Sequence, residues 1–220
     1  MTIPSMFSSG DAYHLQRNME LIAQAIPSYD YLEIGSYLGA SLQWHLTNDK
    51  CNSVISIDLR PQGVVKDERS QFDGKFSYDV TTQDMLQGFM DHNLPIDKLT
   101  CIDGTVDNIP ADKKFDLVFI DAEHTNEAVF YDATHCFPAM KESCIMLFHD
   151  AWIVYQGLEK FNNYLDSIDQ YFVAAKMQNC DIYAVAMGSM IDPFVKYATE
   201  YAEDWDTFKA AAAERLAQNN

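Results

Sequence analysis

Apolar positions along the chain follow two alternating rhythms as far as residue 150. Nearly continuous apolar runs at residues 31–34, 53–58, 99–102, 115–120 and 144–148 have the length and composition of strands covered on both faces. Between them, apolar residues recur at helical spacing. Leu15, Met19, Ile22 and Ile26 form one face of a leading helix stopped by Pro27 and Ser28, and a shorter helix is expected over about 40–47. A helix over 82–91 turns Met85, Leu86, Phe89 and Met90 inward, and another over 126–137 turns Ala128, Tyr131 and His135 inward before Pro138. Tyr13 and His14 are expected on the surface of the leading helix, and His45, His92 and His135 in structural or surface roles.

After residue 150 the rhythm changes. A helix over 152–166 buries Val154, Leu158, Phe161 and Leu165, and residues 171–175 and 182–187 are two β-rich runs close enough for a hairpin. The stretch 193–216 predicts one terminal helix, either a lid or a dimer contact, so a homo-oligomer stays open. Strand–helix alternation followed by an antiparallel pair predicts an α/β, Rossmann-like, doubly wound mixed sheet of about seven strands with helices on both faces. One domain over 1–220 is expected, with 1–27 and 192–220 as helical appendages, and the polar, irregular stretch 59–79 is a candidate mobile lid.

Charge narrows the partners. Thirty-three acidic against fifteen basic residues leave a formal charge of −18, which repels nucleic acid and anionic membrane surfaces. No apolar run of about 18 residues is present, and the N-terminal residues do not read as an export signal, so a cytoplasmic protein is expected. The five cysteines are scattered without a CxxC pair, which suggests neither zinc nor a disulfide framework; Cys101 and Cys144 read as core thiols.

The candidate chemistry sits where strands end. Gly35 and Gly39 frame a turn between the first strand and a helix, a place where backbone N–H groups are unpaired and a nucleotide-like ligand can lie against the main chain. Asp58, about 20 residues on, ends the second strand where ribose hydroxyls would lie, although a turn-capping aspartate reads the same way. Asp103, Gly104 and Thr105 form a turn after the third strand, Asp121 and His124 follow the fourth, and His149 and Asp150 follow the fifth. Carboxyl ends of parallel strands share one edge, so these residues are expected to converge.

The segments EIGSYLG, SID, FDLVFIDAEHTNEAVFYD and LFHDAW, in this order over about residues 28–190, resemble the class I S-adenosylmethionine-dependent methyltransferases. The likeness is greatest to a small-molecule O-methyltransferase-like group with FIDxxH and HD motifs. The resemblance implies the strand order 3-2-1-4-5-7-6 and S-adenosyl-L-methionine as cofactor, with Glu33, Gly35 and Gly39 around its methionine part. It places Ser36 and Tyr37 in the turn, Asp58 on the ribose, Asp103, Gly104 and Thr105 beside the adenine, and Asp121 next to the cofactor. It further implies O-methylation of a small hydroxylated acceptor, sugar-like or natural-product-like, with His124 as general base beside Asp121. An Mg²⁺ or other divalent cation would sit on Asp121, His149 and Asp150. His124 and His149 also have plain structural readings, as a helix cap and a loop brace. A glycine turn followed by an acidic strand end also suits an NAD-dependent oxidoreductase, but the turn is GxxxG rather than GxGxxG. A cofactor-binding, non-catalytic subunit is the third reading.

Overall fold

A computed structural model describes residues 3, 6–60, 64–74, 76–77 and 79–219. The five apolar runs become parallel strands β1 (Tyr29–Ile34), β2 (Cys51–Asp58), β3 (Leu99–Asp103), β4 (Phe115–Ile120) and β5 (Met140–Phe148). Leu32 of β1 sits opposite Ile55 of β2 and Val118 of β4, which makes β1 the central strand of the parallel part. Every position of β4 is buried, because Val118 and Ile120 point to one helical layer and Leu117 and Phe119 to the other. The predicted hairpin forms as β6 (Phe172–Met177) and β7 (Tyr183–Met187), antiparallel to each other, with β7 antiparallel to β5.

The sheet therefore runs 3-2-1-4-5-7-6, and it continues by one strand: β8 (Ala202–Glu203) pairs antiparallel with β6 and gives an eight-stranded sheet. This two-residue strand divides the single terminal helix predicted from the sequence into α6 (Ile191–Tyr201) and α7 (Trp205–Asn219). The cause is Lys176 of β6, only 2% exposed, whose ammonium is held by the carbonyls of Met177 and Cys180 and by Glu203 Oε1 at 2.7 Å. A buried ammonium without such partners would be prohibitively costly, so the chain extends at Glu203 to meet it. Asp204 then caps α7 by accepting the Thr207 N–H at 2.8 Å.

The remaining helices are α1 (Ser9–Ala25), α2 (Leu42–Leu46), α3 (Thr82–Asp91), α4 (Asn126–Cys136) and α5 (Tyr155–Ser167). Helices α1, α2, α3 and α6 cover one face of the sheet, and α4, α5 and α7 the other. Several expected faces are rotated. In α4 the buried side chains are Asn126, Val129, Ala133 and Cys136, while Tyr131 stacks on His135 at the surface. In α3, Met85 and Phe89 are buried but Met90 is exposed. Helix α5 starts three residues later than predicted, since 151–154 form a buried turn. His14 is not a surface residue: it is buried, with Nδ1 against the Tyr197 hydroxyl and Nε2 3.1 Å from the Gln178 carbonyl, so it ties α1 to α6. All five cysteines are free thiols; Cys144 is fully buried and Cys101 partly so. Among the described residues no helix is long and apolar enough to cross a membrane.

Candidate active site

The turn after β1 is shaped by contacts that exclude side chains. Gly35 has φ +85°, donates its N–H to the Ile57 carbonyl at 2.9 Å, and lies so near the end of β4 that a Cβ would sit 2.1 Å from the Asp121 carbonyl oxygen. Gly39 has φ +78°, and there a Cβ would meet the Phe89 ring. Between them Tyr37 adopts φ +47°, a region disfavoured for a side-chain-bearing residue, and its N–H is taken by Asp58 Oδ2 at 2.7 Å. Asp58, 2% exposed, also pairs with Arg60 at 3.2 Å. The aspartate thus braces the turn and at the same time faces the adjoining cavity.

Glu33 and Ser36 support this turn from behind. Glu33 is fully buried and accepts from the hydroxyls of Ser41 at 2.6 Å and Tyr31 at 2.5 Å. Burial pushes its carboxyl up to about 7, and the two hydrogen bonds oppose that rise. Ser36 accepts from the Ser56 hydroxyl at 2.8 Å.

A cavity of about 770 Å³ opens in front of the turn, within the size range of small-molecule sites. Ile34, Gly35, Ile57, Asp58 and Leu59 form one side, residues 104–107 another, and Ala122, Glu123 and the first turns of α4 a third. Of the residues expected to hold a cofactor, Gly35, Asp58, Gly104 and Thr105 line it. Glu33, Ser36, Tyr37, Gly39 and Asp103 stand outside its lining; the Asp103 carboxylate accepts the Thr82 hydroxyl. Asp121 borders a smaller adjacent space with His124, His149 and Asp150.

That second space is an alternating lattice of carboxylates and imidazoles. His124 Nε2 lies 3.0 Å from Asp150 Oδ2 and its Nδ1 lies 3.2 Å from Asp67 Oδ2. His149 Nδ1 lies 3.1 Å from Asp121 Oδ1 and 3.5 Å from Asp150 Oδ2, while its Nε2 faces Asp11 Oδ2 at 3.6 Å, too far for a hydrogen bond. Asp150 reaches its position through a left-handed backbone, φ +51°, which aspartate tolerates better than most residues. Burial works against a charged His124, yet the hydrogen bonds to Asp150 and Asp67 outweigh it and hold the imidazole up at about 10. His149 is likewise raised, burial being overcome by the charges of Asp121 and Asp150. Asp150 is held well below the ordinary carboxylate range despite its burial, by the same two imidazoles.

Donor atoms of Asp121, His124 and Asp150 lie within 4.8 Å of one another, an arrangement open to a metal ion. His149, expected in that set, lies outside it, with its ring turned between Asp121 and Asp11. Two members of the lattice escaped the sequence. Asp11 closes a capping box with Ser8 and accepts the Asp181 N–H; the S-x-x-D spacing was a usable signal for the cap but not for the approach to His149. Asp67 comes from the irregular stretch before α3, where no pattern singles it out.

A family described as a methyltransferase domain matches residues 32–151, the span from β1 to the turn after β5. No curated protein sequence matches the chain. Among solved structures, the O-methyltransferase NovP aligns with a TM-score of 0.66 at 12% identity, over 83% of this chain and 81% of that one. A putative caffeoyl-CoA O-methyltransferase from Staphylococcus aureus aligns with a TM-score of 0.56 at 15% identity, over 85% and 86%. An O-methyltransferase from Bacillus cereus, solved with S-adenosylhomocysteine, gives 0.56 at 12% identity over 83% of each chain. At such identities the likeness is one of fold. With the match over more than half its length and the glycine turn, acidic strand ends and strand order described above, the chain belongs to the methyltransferase-domain family and has the class I S-adenosylmethionine-dependent methyltransferase fold.

Proposed function

We propose that the protein is an S-adenosylmethionine-dependent O-methyltransferase for a small hydroxylated acceptor, sugar-like or natural-product-like. The observation that carries this reading is the adjacency of two spaces at one sheet edge: a nucleoside-sized cavity beside Gly35 and Asp58, and the Asp121, His124, Asp150 cluster next to it. Bound S-adenosylmethionine supplies an electrophilic methyl group on a sulfonium. The work left to the chain is orientation and removal of one proton. Asp58 offers a carboxylate to ribose hydroxyls, and Gly104 and Thr105 flank the base. Nε2 of His124 is the atom for the acceptor's proton. With Asp150 as its partner His124 carries a proton on Nε2, so it serves as base once that proton has been lost to solvent and the acceptor hydroxyl has taken the place of the Asp150 contact.

Asp121, His124 and Asp150 also fit a divalent cation. Two carboxylates and one imidazole are a mixed donor set that accepts Mn²⁺ or Zn²⁺ as readily as Mg²⁺. Such an ion would occupy Nε2 of His124 in place of its role as base, and would instead polarise an acceptor hydroxyl and lower its pKa.

The GxxxG turn and the resting of Tyr37 N–H on Asp58 favour this reading over a nicotinamide cofactor, whose pyrophosphate wants a helix N-terminus with unpaired N–H groups. Calorimetric titration with S-adenosylhomocysteine, run beside a fluorescence titration with NADH, separates the two. Saturable binding of the first and none of the second is expected; the reverse pattern overturns the proposal.

A further inference from the structure

The carboxylate of Asp67 has a place in this site that its sequence surroundings do not announce. It is 6% exposed although it comes from a polar, irregular stretch, and the backbone delivers it deliberately. Residues 67 and 124 form a parallel β-bridge; the Glu68 N–H donates to the His124 carbonyl at 2.9 Å, and Glu68 Oε1 accepts the Asn126 N–H at 2.7 Å. Two loops 57 residues apart are thereby registered so that Asp67 Oδ2 meets His124 Nδ1. Arg69 completes the carboxylate's partners, with its backbone N–H at 2.8 Å and its Nε at 2.7 Å on Oδ1 and its Nη2 at 2.5 Å on Oδ2.

We propose that Asp67 is the positioning residue of His124: its carboxylate accepts a hydrogen bond from Nδ1–H, fixes the ring, and leaves Nε2 as the atom directed at Asp150 and the acceptor. This rests on the reading of His124 as the residue that receives the acceptor's proton. A neutral imidazole carries one N–H, and the nitrogen that keeps it is set by the hydrogen bond the ring makes. A carboxylate on Nδ1 stabilises the Nδ1–H tautomer and the imidazolium that forms when Nε2 accepts a proton, the same service an orienting carboxylate gives a histidine base or ligand elsewhere. Among the described residues, Asp67 is the carboxylate in contact with Nδ1 and Asp150 the one in contact with Nε2, while Asp121 acts on the ring through its charge. A merely structural Asp67 would pin the loop without governing the tautomer. The Glu68 contacts already pin it.

The test reads the ring directly. Long-range ¹H–¹⁵N spectra of ¹⁵N-labelled protein, with His124 assigned by its absence in His124→Gln, are recorded with the ring neutral. The Nδ1–H tautomer is expected for the wild type, and loss of that preference for Asp67→Asn. A wild-type Nε2–H tautomer overturns the proposal without any variant, as does a tautomer unmoved in Asp67→Asn. Should that variant fail to fold, Asp67→Glu is expected to keep the Nδ1–H tautomer, and its loss there would count against the assignment. S-adenosylhomocysteine binding is measured on the same samples. Absence of binding by the wild type sinks the enzymatic reading, whereas intact binding with an unmoved ring sinks only the role of Asp67.

Discussion

The two halves of the site are made by different means. The side formed by the ends of β1, β2 and β3 is a matter of backbone: positive φ angles, close approach of main chains, and one aspartate that clasps the turn. The side formed by the ends of β4 and β5 is a matter of charge, with carboxylates from four separate parts of the chain interleaved with two imidazoles. The first resists any added atom, and the second resists a change in its balance of protons. Substitutions on the backbone side should therefore damage fold and cofactor affinity together at every pH. Those on the charge side should act in a pH-dependent way and spare the cofactor.

The sharpest break is Gly35→Ala. A Cβ there needs both a positive φ and space held by the Asp121 carbonyl, so a loss of about 2–4 kcal/mol in urea unfolding is expected, with S-adenosylhomocysteine affinity down at least about tenfold. An effect under about 0.5 kcal/mol would show that the turn is not rigid.

Next comes His124→Gln. In the folded protein His124 is raised from its ordinary value to about 10, so its contribution is full below about pH 6.5 and is lost as pH rises towards 10. The variant should thus be weaker by about 2 kcal/mol at pH 6 and approach the wild type near pH 10, with cofactor binding changed less than about twofold. A deficit that grows with pH would contradict the charge lattice.

A smaller effect concerns the cation. An imidazolium stands where a metal would need neutral nitrogen, so Mn²⁺ binding followed by calorimetry should tighten about tenfold from pH 6 to pH 7 and be lost in Asp150→Ala. Binding independent of pH would point to a site elsewhere.

The smallest change is expected at Glu33→Gln. The carboxyl of Glu33 is raised to about 7, so whatever stability its protonated form provides is present below about 4.5 and lost as pH rises past 7. Replacement by an uncharged amide should be within about 1 kcal/mol of the wild type at pH 6 and compare more favourably at pH 8, as followed by thermal unfolding.

The same contrast explains what the sequence disclosed. Parallel strands covered on both faces leave uninterrupted apolar runs, and a glycine turn is a local event, so β1 to β5 and the turn at residues 35–39 were legible from neighbouring residues alone. Strand ends on one sheet edge must converge, which foretold that Asp121, His124, His149 and Asp150 would meet. Asp11 and Asp67 were not legible, because each joins the site through partners 138 and 57 residues away that no spacing rule connects. The division of the last helix at Glu203 was hidden for a similar reason, since its cause is a buried lysine 27 residues earlier. The outward Tyr131 and the buried His14 show the limit of helical periodicity where an aromatic residue fits either face.

The account stands on an adenosyl group lying beside the glycine turn. A crystal structure of the protein with S-adenosylhomocysteine is the most direct check: the account predicts the ribose at Asp58, the base near Thr105, and the sulfur on the side of Asp121. A nucleoside bound away from Gly35 and Asp58, or a cavity that stays empty at saturating ligand, would contradict it.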